Sequence, residues 1–282
     1  MFTRTAGHVL NKRDSPRGRG QAAILRPGAA PDIAIGRLAP PESWAPLVDY
    51  VWTVRWRCAE PHVQQVIPQP VVHLAAEQWQ GRPRVLVHGL SRRPFERRLV
   101  GEGQVVGAAF VPAGFRAVLR RSLAEISDRV VPLGDLLPVD DHTAARRMLE
   151  PGQTDEALAT HMVGLLDAVG AEPDPLGVEL ARLMREIEDD PTLVRAEQVA
   201  ERAGVQLRTL QRRFSEYVGI GPKWVVQRFR LLDAAAVAHA GGDVDWAGLA
   251  ADLGFSDQAH LVRAFTAVVG TPPARYARDA TA

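Results

Sequence analysis

One cysteine, Cys58, stands in 282 residues, which excludes an internal disulfide framework and any thiolate cluster that could hold a metal. Such scarcity suits a reducing cytoplasm, the expected location. No uninterrupted apolar run of about 18 residues occurs, the length a membrane-spanning helix needs. The least polar stretch, 105–119, is broken by Gly107, Pro112, Gly114 and Arg116, so no membrane partner is expected. Basic residues in 1–20 are not followed by an apolar core, unlike those of a secretory signal. An excess of one charge is missing as well: 34 Lys and Arg stand against 33 Asp and Glu, a formal net charge of +1, so the total gives no hint of a polyanion partner. Neither a phosphate-binding Gly-rich loop nor a nucleophile elbow is present, and no enzymatic activity is expected.

What is present is patterned. Hydrophobic residues make up 46% and charged residues 24%, the proportions of ordinary globular proteins, and a chain of this length has room for about two domains. Near the C-terminus the sequence repeats itself. Ala200, Gly204, Val205, Leu210, Arg212, Phe214, Val218, Gly219 and Pro222 recur as Ala250, Gly254, Phe255, Leu261, Arg263, Phe265, Val269, Gly270 and Pro273. Each copy reads as a short helix, a tight turn at Gly, a second helix with apolar residues at helical spacing, and a Gly that stops it. That is the pattern of a helix-turn-helix, which places its second helix in the DNA major groove; two in one chain can read successive groove segments without a partner subunit.

Around these copies the spacing predicts an all-helical C-terminal domain over 176–282. Leu180, Leu183, Met184 and Ile187 form one apolar stripe. Helix pairs are expected at 195–203 with 207–218 and at 245–252 with 257–269, the latter with Ser256 as N-cap. Between them a long helix runs from Pro222 to about Ala240, stopped by Gly241 and Gly242. Upstream, residues 31–125 shift towards a period of two. Val-rich and aromatic segments at 50–56, 63–67, 71–74, 84–87 and 104–111 are separated by Pro and Gly, which suggests a small antiparallel barrel or sandwich. After Gly114 the reading turns helical, with amphipathic candidates at 117–126, 143–149 and 155–169, and 126–175 is read as a helical segment and linker. Residues 1–30 mix Arg4, Lys12, Arg13, Arg17, Arg19 and Arg26 with Gly, Ser and Pro, a composition read as a disordered basic tail. The fold class expected is therefore α+β, a small β domain followed by two helix-turn-helix units joined by a long helix.

The residues Gly254, Phe255, Ser256, Asp257, Gln258, Ala259 and His260, with Arg263, Ala264, Phe265, Gly270, Thr271, Pro272, Pro273 and Tyr276, resemble the signature region of the AraC/XylS family of bacterial transcription regulators. Leu210, Gln211, Arg212, Arg213 and Phe214 resemble that family's first recognition helix, and the matching stretch covers about 194–278. The N-terminal half is similar to a cupin-like domain of undefined function found ahead of some AraC-type DNA-binding domains. That similarity rests on Val66, Ile67 and Pro68, on 71–74 and on 106–115, with 128–137 alongside. The resemblance implies duplex DNA, a small-molecule effector and a second copy of the chain as partners, and transcription regulation as the function.

On the first unit's outer face lie Arg208, Gln211 and Arg212. Arg bonds a guanine edge bidentately and Gln an adenine edge, so these three are assigned to base reading, and Arg213 and Lys223 to phosphates. The chain is locally basic there: between Arg202 and Arg230 lie Arg208, Arg212, Arg213, Lys223 and Arg228, opposed by Glu216 alone. Screening confines phosphate attraction to roughly 8–10 Å, so a local cluster outweighs the total. In the second unit Gln258, His260 and Arg263 are the base-reading candidates, amid Asp243, Asp245, Asp252 and Asp257; Asp257 would repel phosphate unless it caps the helix or accepts from cytosine. The first unit is therefore expected to supply most base specificity.

Two alternatives attach to the N-terminal half. A metal-dependent cupin-type enzyme would draw on His62, His73 and His88, yet the usual cupin pair of histidines one residue apart followed by Glu is absent around His73. No metal, cofactor or catalytic residue is assigned. A cysteine-based redox sensor, or the DNA-repair alkyl transfer to which AraC-type units are sometimes fused, would need Cys58; Arg57 beside it could activate the thiol, but the Pro and His setting of the transferase is missing.

Overall fold

A computed structural model describes residues 24–25, 33–66, 69–93, 95–240 and 243–281. The expected basic tail therefore lies almost wholly outside the described residues, as do Ile67, Pro68 and the Gly241 and Gly242 stop. Among the described residues seven strands form one antiparallel sheet: β1 (Ile24–Leu25), β2 (Ile33–Leu38), β3 (Val48–Val66), β4 (His73–Trp79), β5 (Arg82–His88), β6 (Phe95–Phe110) and β7 (Val130–Pro132). Their order is β1-β3-β6-β4-β5-β7, with β2 also paired to β3. Among the described residues no ladder joins β7 back to β1 or β2, so the sheet is open rather than a closed barrel.

The separate strands expected at 50–56 and 63–67 are one 19-residue strand, β3. Pro61 has no N–H to give to the ladder, and the chain absorbs it in a register shift between Cys58 and His62 rather than ending the strand. Cys58 is thus in mid-strand and buried.

Period-two alternation divides the sheet's faces. Val51, Leu74, Ala76, Val85, Val87, Val106, Ala108 and Phe110 enter the core, where α2 (Asp141–Met148) contributes Ala145 and Met148 and α3 (Asp155–Val169) contributes Leu158, Met162, Leu165 and Leu166. Polar anchors fix both helices on the sheet: Thr53 Oγ1 donates to Asp155 Oδ1 at 2.9 Å, Arg55 pairs with the same carboxylate, and Arg84 Nε donates to the buried Asp141 at 2.7 Å. On the other face Trp52 and Trp56 lie against Gly107 and Gly103, where a Cβ would sit 2.3 Å from either indole.

The amphipathic helix expected at 117–126 is split. Helix α1 (Phe115–Leu119) ends at Arg120, which adopts φ +58, and a 3-10 turn (Leu123–Glu125) follows, capped by Ser122. From Pro175 onward the chain is helical: α4 (Pro175–Asp189), α5 (Ala196–Arg202), α6 (Leu207–Tyr217), α7 (Pro222–Ala240), α8 (Trp246–Asp252), α9 (Gln258–Val269) and α10 (Pro273–Thr281). Pro175 occupies the first turn of α4 and Asp174 caps it. Leu180, Leu183, Met184 and Ile187 are buried, as their spacing requires. Helix α7 buries Val225, Phe229, Leu232 and neighbours along nearly all its length, so it forms the spine on which α4, the first helix pair and α10 pack, while α10 in turn packs on α9 of the second pair.

Candidate nucleic-acid interface

The two helix-turn-helix units are built alike at the backbone. In the first, Val205 N–H donates to the Ala200 carbonyl at 3.0 Å and Gly204 N–H to the Glu201 carbonyl at 3.0 Å; in the second, Phe255 N–H donates to Ala250 at 2.9 Å and Gly254 N–H to Ala251 at 3.0 Å. Gly204 and Gly254 adopt φ +63 and +76, a region in which a Cβ is strained. Ala200, Leu210, Phe214 and Val218 are buried in one unit and Ala250, Leu261, Phe265 and Val269 in the other.

That shared scaffold leaves α6 with Arg208, Gln211 and Arg212 exposed on its outer face, and Lys223 exposed at the start of α7. Among the described residues their side chains have no hydrogen-bond partner, which leaves five-donor guanidiniums and a two-sided amide open to an external partner. Arg213 differs: it is half-buried and pairs with Glu179 of α4 at 3.4 Å, so its charge is already partly engaged. The local basic cluster is smaller than the sequence implies. Arg202 pairs with Asp190 at 3.2 Å. Arg228 and Arg230 are each only 1% exposed. Arg230 Nη1 donates to the Asp190 carbonyl at 3.2 Å and Arg228 Nη2 to the Arg92 carbonyl at 3.1 Å. Desolvation pushes the Arg228 guanidinium down to about 10.

In the second unit Gln258 and Arg263 are exposed and His260 is half-buried. The His260 ring stands edge-on to Phe255 at 5.2 Å, with Nδ1 3.2 Å from Ser256 Oγ, so it is fixed at the turn. Asp257, rather than Ser256, is the N-cap of α9, accepting from His260 N–H at 2.6 Å. That backbone hydrogen bond, with help from Ser256, holds the Asp257 carboxyl below its usual range. Asp245 caps α8 in the same way, accepting from Gly248 N–H at 3.0 Å. Two of the acids around the second unit are therefore the helix caps its fold needs.

The three histidines considered upstream do not converge. His73 and His88 are cross-strand partners, while His62 lies in the far half of β3 opposite Leu99. His88 Nε2 is 2.8 Å from Glu77 Oε1, and the other carboxylate oxygen pairs with Arg97 at 2.6 Å. Among the described residues no group of three His, Cys, Asp or Glu could hold a metal ion, and no helix is long and apolar enough to cross a membrane.

Sequence reasoning missed the junction between the sheet and the helix-turn-helix units. Ser127 Oγ donates to the Gly219 carbonyl at 2.7 Å, and Arg116 pairs with Glu216 at 3.2 Å. These partners lie 92 and 100 residues apart, and no local pattern marks them.

Residues 199–279 match a family model described as a helix-turn-helix domain, and residues 36–132 one described as a domain of unknown function, DUF6597. No curated protein matches the chain. Among solved structures, the C-terminal domain of AraT, a response regulator from Geobacillus stearothermophilus, is 22% identical with a TM-score of 0.33, over 37% of this chain and 85% of that one. ToxT from Vibrio cholerae is 12% identical with a TM-score of 0.40, over 89% of this chain and 100% of that one. A fatty-acid-bound form of ToxT gives 11% identity and a TM-score of 0.35, over 87% and 95%.

Proposed function

We propose that this chain, whose C-terminal helix-turn-helix domain is of the AraC type and follows a DUF6597 domain, is a transcription regulator that binds duplex DNA sequence-specifically through two unequal reading faces. The observation that carries the reading is the division of α6: Leu210 and Phe214 are buried, while Arg208, Gln211 and Arg212 are exposed on the opposite side. A helix held by its apolar face and presenting Arg and Gln outward can enter a major groove and discriminate base edges. Arg212 is assigned the strongest base contact, Arg208 and Gln211 flank it, and Lys223 takes phosphate. Gln258 and Arg263 give the second unit a sparser face. Because α7 packs on the first unit and on α10, and α10 packs on α9 of the second, the two units are linked within one chain.

A regulator of this build responds to a signal through its sheet domain, with a small-molecule effector or a second copy of the chain as the source. Such a signal acts by binding two states of the protein with different affinity. The base-reading assignment is tested by enriching duplexes from a random pool with the full chain, then measuring affinity at one salt concentration. Arg212→Ala should lose about 5- to 150-fold, the range of one bidentate base contact, and Arg263→Ala a smaller factor. Equal losses overturn the ranking; no enrichment of any duplex overturns the function.

A further inference from the structure

We infer that the segment 115–129, which rides on the sheet, is a positioning element for the first reading helix alone, with Arg116 and Ser127 setting the pose of α6. The inference rests on the DNA-binding reading above and adds to it: the direct hold of the sheet domain through 115–129 falls on one of the two units and not on the other.

The two copies supply an internal control. Gly219 and Gly270 are equivalent stops after the two reading helices, at φ +88 and +80. A Cβ on Gly270 would meet nothing within 4 Å, whereas one on Gly219 would lie 2.4 Å from Ser127 Oγ and 2.8 Å from the Leu123 carbonyl. The first stop is pressed against the sheet domain, and the second stands clear of it. Around Gly219 the contact is polar and directional. Ser127 Oγ donates to the Gly219 carbonyl at 2.7 Å, Ser122 Oγ to the Ser215 carbonyl at 3.4 Å, and Arg116 pairs with Glu216 at 3.2 Å. The Arg116 guanidinium also lies 5.2 Å from the Tyr217 ring centre. All of these grip the C-terminal end of α6, away from Arg208 and Gln211, so the grip leaves the reading face open.

The gripping segment is itself tied to the strands. Phe115 packs edge-on to Phe110 at the end of β6, with ring centres 4.9 Å apart. Asp128 N–H donates to the Leu90 carbonyl at 2.7 Å, and Gly89 N–H to Arg129 at 3.0 Å. Gly89 approaches the Ile126 carbonyl too closely for any Cβ. A second strut runs from Arg228 of α7 to the Arg92 carbonyl, and Asp128 in turn accepts from Arg92 N–H at 2.8 Å. A displacement of the β5 or β6 ends therefore carries 115–129 with it, and α6 follows. Among the described residues no hydrogen bond or ion pair joins α8 or α9 to the sheet domain.

The test uses the full chain and two derivatives of an enriched duplex, one keeping only the half whose binding depends on Arg212 and one only the half that depends on Arg263. Arg116→Glu should weaken binding to the first half about three- to tenfold and leave the second unchanged, as should Glu216→Arg. The double variant, which restores the pair with charges exchanged, should return to within about twofold of the parent. Ser127→Ala, which removes the Gly219 clamp without charge, should show the same one-sided loss if either charge variant melts early. Equal losses on both halves, no loss on either, or failure of the exchanged pair to recover would overturn the inference while the DNA-binding reading stands. If no duplex is enriched at all, both fall together.

Discussion

His73 sits on the sheet face opposite the core, beside its cross-strand partner His88 and edge-on to Trp52 at 6.1 Å. Desolvation by burial, then the charges of His88 and Arg37, push its imidazole down to about 3. The folded state therefore binds fewer protons than the unfolded chain between about pH 3 and 6.5. Its contribution to stability is complete above pH 6.5 and is lost as pH falls through that window, at up to about 1.4 kcal/mol per pH unit. We expect His73→Leu to lose about 2 kcal/mol less than the parent between pH 7 and pH 5, measured by urea unfolding at the two pH values. A histidine on a strand was legible as such in the sequence. Its protonation was not, because the burial and the neighbouring charges come from three strands.

At the scale of elements, the duplicated units show what local chemistry fixes and where context intervenes. Gly204 and Gly254 both need a left-handed backbone. Only Gly254 is also crowded, since a Cβ there would lie 2.5 Å from Val194, while Gly204 has open space. Gly204→Ala should destabilise by about 1–2 kcal/mol, the steric cost of that conformation, and Gly254→Ala by more. Comparison of denaturant midpoints for the two variants decides it. Boundaries of α5 to α9 agree with the periodic reading to within about two residues, because caps, Gly turns and apolar spacing all act within a turn or two. The expected helix over 117–126 failed at Arg120, whose left-handed φ no local signal announces. Strand β3 was divided at Pro61 because proline reads as punctuation; pairing with β6 on both sides of the shift overrode it.

Across the whole molecule, charge is near balance, so any DNA affinity depends on which cations the fold leaves outside. Arg208, Arg212 and Lys223 are exposed, Arg213 is partly engaged, and Arg228 and Arg230 are enclosed between helices and the sheet domain. The slope of log affinity against log salt should therefore fall by about 0.9 on Lys223→Ala, one phosphate contact. Arg228→Met should leave that slope unchanged. Titration of an enriched duplex at several salt concentrations measures both.

The amino-acid sequence determined the α+β class, the duplicated helix pairs, the long helix between them and the outward Arg and Gln of α6. Each of these follows from spacing over a few residues. Tertiary structure decided the rest: the continuous β3, the enclosure of Arg228 and Arg230, the capping role of Asp257, and the hold of Ser127 and Arg116 on the first of two units that share a backbone framework. Most of these join groups about 40 to 136 residues apart in the chain. Their partners are set by how the sheet and the helices close on one another, which periodicity does not encode. The exception, Asp257, is a local choice between two adjacent capping residues, and the backbone angle at the start of α9 settles it.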